Sequence, residues 1–268
     1  MSSNRRQGRT VVKVFGLLSW FDESPTFLAS CVASIAPHID HLVAVDGAYA
    51  NFPGSRAHSD RLQAETIQAI CDGAQIACTI HRPSEPWRGN EVEKRDQMFK
   101  IAAAYSEPFS DWYWVIDADS IVTSVPSDLR AQLEASEEWS VDVMLWEQRD
   151  YIGDVPEVAR QILLPTIGEQ TLTCLYRVLR DMQVIGTHYT YGGFRPDGEW
   201  VWAWAPHIMN PQNRRIIAEI RVEHRSIYRD KYRRGLAQTY YTIRDELGLE
   251  RVTPRSEKGL QAIEVRSS

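Results

Sequence analysis

The chain has only four cysteines in 268 residues: Cys31, Cys71, Cys78 and Cys174. No two form a Cys-x-x-Cys pair, which excludes a zinc clip or dithiol motif of that spacing. Sparse, unpaired thiols predict a reducing compartment, and hence a cytoplasmic protein. Long apolar runs are missing too. Nothing reaches the roughly 18–20 residues that a membrane-spanning helix needs, so no stable membrane insertion is expected. Arg5, Arg6 and Arg9 precede an apolar stretch, and Leu28-Ala29-Ser30-Cys31 looks like a lipoprotein cleavage box. Asp22 and Glu23 interrupt the hydrophobic region such a leader requires, so no secretory signal is expected. Positive charge is not in excess. Lys and Arg total 30 against 36 Asp and Glu, a net charge of −6, which excludes wholesale binding of nucleic-acid phosphates.

What is present is globular: 43% of residues are hydrophobic, 25% are charged, and nine are Trp. That length and composition suit one large α/β domain or two small ones. The charge is uneven. Residues 107–160 carry 13 acidic and 3 basic residues, whereas residues 214–234 carry 8 basic and 3 acidic. An acidic centre and a basic C-terminal segment together suggest a site for an anion bridged by a cation.

The first half alternates strand and helix patterns. Val11 to Leu18 reads as a buried strand. Ser24-Pro25 caps a helix carrying Phe27, Leu28, Cys31, Val32 and Ile35, which Pro37 stops. Leu42 to Val45 reads as a second strand, ending at Asp46-Gly47. Leu62, Ile67, Ile70 and Cys71 fit a helix closed by Gly73, and Ile76 to Ile80 a third strand. Asn90 with Glu93 resembles a capping box opening a helix with Val92, Phe99, Ala102 and Ala103 on one face. Trp112 to Ile116 is a fourth strand, followed by Asp117-Ala118-Asp119. Four such alternations predict a mostly parallel sheet flanked by helices. Ligands of such sheets bind beyond the carboxyl ends of the strands, where Asp46 and Asp117 both fall. The second half is less regular. Val141 to Glu147 and Leu172 to Leu179 read as strands, residues 186–206 as irregular, and a helix from Tyr228 ends at Gly248.

Asp117-x-Asp119 after an apolar strand is the strongest chemical feature. Two carboxylates two apart on a turn can share Mn²⁺ or Mg²⁺, hard cations that take carboxylates together with substrate phosphates. The same tripeptide also occurs as a plain loop pair or helix cap. Asp46 before Gly47 is by itself a turn former. Lys94 and Arg95, read as lying in the first helical turn, are either anion contacts or a solvated face. Trp200, Trp202 and Trp204 alternate as one face of a strand does, either buried or stacking on sugar rings. Tyr189, Tyr191, Gly192 and Gly193 nearby suit an acceptor loop.

The order of these motifs resembles glycosyltransferases of the GT-A fold, most nearly those of family 2. Leu18-Ser19-Trp20-Phe21-Asp22-Glu23 and the following helix are similar to the turn that holds the nucleotide in that family. Asp46 matches an Asp that binds the base or ribose, and Gly89-Asn90 with Lys94-Arg95 matches a segment opening the next helix. Asp117 and Asp119 match the metal-binding Asp-x-Asp. His224, in Val-Glu-His-Arg-Ser, matches a later His that completes the metal site. The resemblance covers residues 11–125 well and 172–235 loosely. It implies a GT-A (Rossmann-like) α/β fold and a nucleotide-diphosphate sugar donor. Ser19, Trp20, Asp46, Lys94, Arg95, Asp117 and Arg225 would face the donor, and Asp117, Asp119 and His224 would hold Mn²⁺ or Mg²⁺. Arg221 and Arg229 would add charge at the diphosphate.

The general base that an inverting enzyme needs is not marked. No Glu-Asp pair follows the metal motif, and Tyr189 stands where a Glu after His188 would be expected. Asp150, Glu147 and His188 are the candidates. Competing classes are a non-catalytic nucleotide or sugar binder on the same fold and a haloacid-dehalogenase-type phosphatase. The latter places its Asp-x-Asp on the first strand, whereas three strand–helix units come first here. A nucleotidyltransferase would show a glycine-rich loop after the first strand, which is missing. The acceptor is left open among a glycan, a lipid carrier, a protein and a modified nucleic acid. The expected organisation is a flexible tail over residues 1–10, a nucleotide-sugar-binding half over 11–125, an acceptor-side half of the same domain over 126–250, and a tail over 251–268.

Overall fold

The computed structural model describes residues 12–50, 56–88, 90–147, 168–184, 191–202 and 215–225. Expectations for both tails, the helix from Tyr228, Trp204, Tyr189, Asp150, His188 and Arg229 lie outside these residues. The first half runs β1 (Val14–Ser19), α1 (Pro25–Ile35), β2 (His41–Val45), α2 (Arg61–Ala74), β3 (Ala77–His81), α3 (Asn90–Ala103) and β4 (Trp112–Asp117). Then come β5 (Ser120–Ser124), α4 (Leu129–Glu134), β6 (Ser140–Glu147), β7 (Gly168–Arg177), β8 (Arg180–Val184), β9 (Tyr191–Phe194), β10 (Trp200–Trp202) and β11 (Ile216–His224).

The fold is mixed α/β. Eight strands form one sheet in the order β3-β2-β1-β4-β7-β6-β11-β5, and β10-β9-β8 form a second. β3, β2, β1 and β4 are mutually parallel, and β11 is parallel to β6. β7 is antiparallel to β4 and β6, and β5 is antiparallel to β11. β7, β6 and β11 therefore lie between β4 and β5, which are consecutive in the chain.

β1 and β4 read as nearly continuous apolar runs because both of their faces are covered. Val14 and Leu18, with Trp112, Trp114 and Ile116, pack with Leu28, Cys31, Val32 and Ile35 of α1 and Ile67 and Cys71 of α2. On the other face, Phe15, Leu17, Tyr113 and Val115 pack with Met98, Phe99 and Ala102 of α3. Gly16 allows this close approach, since a Cβ there would sit 2.7 Å from Ile39 Cδ1.

Several local expectations are corrected. Gly73 lies inside α2, which ends where Gln75 takes φ +57°. α1 does end at Ile35, ahead of Pro37 as expected, with a 3-10 turn following at Ala36–His38. β5 and α4, of five and six residues, were not expected; each is too short to show a period. Residues 186–206 hold β9 and β10, and the basic segment from residue 214 begins as β11. That strand alternates with charges and shifts register against both neighbours, which hides its period. Among the described residues, no helix is long and apolar enough to cross a membrane.

Burial favours the neutral form of three histidines. His41 sits with Nε2 2.9 Å from Thr79 Oγ1 and its ring edge-on to Tyr105 at 4.5 Å. Desolvation lowers the pKa of His38, His41 and His81. The unfolded chain titrates at about 6.5, so it binds more protons than the native state as pH falls below that value. Stability is therefore full above about pH 6.5 and declines from there down through the lowered native values. The urea midpoint should be lower at pH 5.5 than at pH 7.5, and His41→Gln should shrink that difference. Equal midpoints would contradict this.

Candidate functional site

The carboxyl ends of β1, β2 and β4 form one rim. Ser19, the half-buried last residue of β1, pairs with Val45 of β2 on one side and Asp117 of β4 on the other. Asp117 is thus the last residue of its strand, with its side chain 27% exposed.

The second carboxylate, Asp119, is only 2% exposed. His224 Nε2 lies 3.3 Å from Asp119 Oδ2. Strand pairing brings them together, because His224 pairs with Ser120 and the Arg225 N–H donates to the Asp119 carbonyl at 2.8 Å. On the other side of β11, His224 pairs with Glu147, so Glu147 lies on the same rim. Arg225 follows directly, half-buried, with Nη2 donating to Glu223 Oε2 at 2.8 Å. Arg221 is exposed on β11.

Beneath this rim, the Cys31 thiol donates to the Asp117 carbonyl at 3.4 Å. Burial raises its pKa, and the charges of Asp119, Asp117 and Glu23 raise it further. Glu23, itself 3% exposed, therefore shares this acidic neighbourhood. Glu23 had a local signal in the Asp22-Glu23 turn, but no pattern there marks it as buried.

The donor set suits a hard divalent cation: two carboxylates at the end of one strand and an imidazole nitrogen beside the second. Among the described residues, no group of three His, Cys, Asp or Glu is arranged to hold a metal by itself. A cation there would need further oxygens from a bound ligand, as with cations held by one or two carboxylates plus phosphates.

Asp46 departs from the expectation of a side chain open to the crevice. It is fully buried, since its carboxylate is enclosed by donors. Oδ1 accepts from Gly47 N at 2.7 Å and Ser59 Oγ at 2.6 Å, and Oδ2 from Ser59 N at 3.0 Å and Arg82 Nε at 3.3 Å. Arg82 also donates to the Ser59 carbonyl. Asp46 thus ties the end of β2 to Ser59 and Arg82. Neither partner was foreseen, because each contact joins distant segments. Trp20 also departs from expectation: its indole is 2% exposed in the apolar core, on the side of α1 and α2.

Lys94 and Arg95 lie one turn beyond the start of α3, whose first turn holds Glu91 and Glu93. The helix-terminus argument for anion binding therefore does not reach them. Lys94 Nζ donates to the Trp20 carbonyl at 2.5 Å and the Gly47 carbonyl at 2.8 Å, tying together the loops after β1 and β2. Arg95 Nη2 donates to Asp117 Oδ1 at 3.1 Å. Trp200 is 9% exposed, edge-on to Phe194 at 5.0 Å, so its indole is largely packed away.

No protein-family model matches this chain, and no curated protein matches it.

Gly47 is the turn on which this rim closes. Its φ is +116°, and a Cβ would lie 2.6 Å from both Pro83 Cγ and Trp87 Nε1 and 2.9 Å from the Ala57 carbonyl oxygen. Trp87 Nε1 donates to the Asp46 carbonyl at 2.8 Å, so the obstruction cannot easily move. Gly47→Ala should cost about 1–3 kcal/mol from backbone strain alone, read as a lower urea midpoint. An unchanged midpoint would contradict the close packing.

Proposed function

We propose that this chain is a metal-dependent glycosyltransferase of the GT-A type. It would move a sugar from a nucleotide-diphosphate donor to an acceptor hydroxyl, with inversion. The observation that supports this reading most is the 3.3 Å approach of His224 to Asp119 at the carboxyl end of β4. An acidic strand end and a distant imidazole meet where an α/β sheet binds its ligands.

Asp117, Asp119 and His224 are the residues that would hold Mn²⁺ or Mg²⁺. When bound, the cation supplies Lewis-acid neutralisation of the charge that develops on a departing diphosphate. Lys94 holds the loops after β1 and β2 in place, the first of them directly following Ser19, so the donor would meet a preformed surface. Arg225 adds positive charge beside His224, suited to the diphosphate oxygens. In the reaction, the bond from the sugar's anomeric carbon to the diphosphate breaks and its electron pair leaves with the phosphate oxygen. The acceptor oxygen forms the new bond on the opposite face and gives its proton to a carboxylate. Glu147, whose backbone pairs with His224, is the candidate for that base among the described residues.

The test is a panel of nucleotide sugars incubated with Mn²⁺, with and without chelator, and assayed for nucleotide release. One donor should be hydrolysed slowly, the chelator should stop it, and Asp119→Ala should reduce it roughly 100-fold or more. Binding without turnover of any donor would favour a non-catalytic binder. Neither binding nor turnover would sink the reading.

A further inference from the structure

We infer that Arg95 is a positioning residue for the Asp117 carboxylate, and that through Tyr191 the second sheet helps to set the cation site. The inference rests on the reading of Asp117 and Asp119 as cation ligands. Arg95 is buried and touches three different elements. Its Nε donates to Glu91 Oε1 at 2.7 Å on α3, Nη2 to Asp117 Oδ1 at 3.1 Å on β4, and Nη1 to the Tyr191 hydroxyl at 3.3 Å on β9. A guanidinium is planar and its donors diverge at fixed angles. Meeting all three partners leaves it one orientation. One oxygen of Asp117 is thereby committed to Arg95, which sets how the carboxylate meets a cation.

Tyr191 is equally constrained. It is fully buried, and its ring stands edge-on to Phe99 and to Tyr176, each at 4.8 Å. A second tie lies one residue along α3, where the buried Asp96 accepts from the Val184 N–H of β8 at 2.8 Å. Successive residues of α3 therefore grip the second sheet, and the first of them also grips the rim of the main sheet. Arg95 acts on the cation through Asp117, not by touching a phosphate. A shift of β9 would pass through the Tyr191 hydroxyl and the guanidinium to Asp117.

The probe is Mn²⁺ alone, titrated into the full chain and followed by electron paramagnetic resonance, with thermal unfolding as the check on folding. Arg95→Met should weaken Mn²⁺ binding about 10-fold or more, the scale on which partners that orient metal ligands act. Arg95→Lys keeps the charge but cannot span three partners, so it should recover only part of the loss. Tyr191→Phe keeps the packing and should weaken binding roughly 2- to 10-fold, as loss of one hydrogen bond would. A folded Arg95→Met protein that binds Mn²⁺ as tightly as the wild type, or more tightly, would overturn the positioning role. Loss of the positive charge alone would tighten binding, so the sign separates the two effects. If Arg95→Met does not fold, Arg95→Lys and Tyr191→Phe decide the matter, and wild-type affinity in both overturns the proposal. Asp119→Ala separates the levels: retained Mn²⁺ affinity there removes the cation site, and with it both this inference and the functional reading.

Discussion

Only Ala118 and Asp119 separate the end of β4 from the start of β5, yet the two strands are not neighbours. β7, β6 and β11 lie between them in the sheet. In a flat sheet, four strand spacings would put them about 19 Å apart, whereas three Cα steps reach at most about 11 Å. The sheet must therefore curl until its far edge returns to the end of β4. That return carries β11 with it, because β5 is paired to β11 with Ser120 opposite His224. Asp119 and His224 meet for this reason, and Glu147 arrives on the same rim because β6 is the next strand in. One short link and one strand register thus assemble the acidic centre.

The rim is held from beneath by buried polar groups, which is the less common way to use a helix. Lys94, Arg95 and Asp96 of α3 are 2%, 4% and 3% exposed. Charges removed from water are costly unless each finds partners. Lys94 finds two carbonyls, Arg95 two carboxylates and a phenol, and Asp96 a backbone N–H of the second sheet. Asp46 is satisfied in the same way by Ser59, Gly47 and Arg82. Apart from Arg95 to Glu91 within α3 and Asp46 to its neighbour Gly47, these contacts run between strand ends, loops and sheets. Their common effect is to fix loops that would otherwise be the most mobile parts of the rim. Such preformed surroundings are what an electrostatic site needs, since its dipoles and charges must be oriented before a ligand arrives.

The alternation from β1 to β4 was legible in the sequence because parallel strands covered on both faces become apolar runs, and the helices between them carry periodic stripes. Trp112 to Ile116 followed by Asp117 and Asp119 is such a run ending in an acidic turn. β5 and α4 escaped because each is only five or six residues long, too short for one or two buried positions to set a period. β11 escaped because its register slips, so its buried positions do not alternate regularly. The resemblance of the Leu18–Glu23 turn implies that Trp20 faces the donor, but its indole turns into the core.

By itself, the sequence determined the α/β alternation, the end of β4 as an acidic turn, and His224 as a candidate through motif order. Tertiary structure alone decided what each charged side chain does. It buried Asp46 under Ser59 and Arg82, set Lys94 on two carbonyls, and placed Arg95 between Asp117 and Tyr191. The reason is that local patterns record how much of a side chain is buried, and along which face. Which partner a buried charge meets depends on strand order and register between segments far apart in the chain, and no local pattern encodes those.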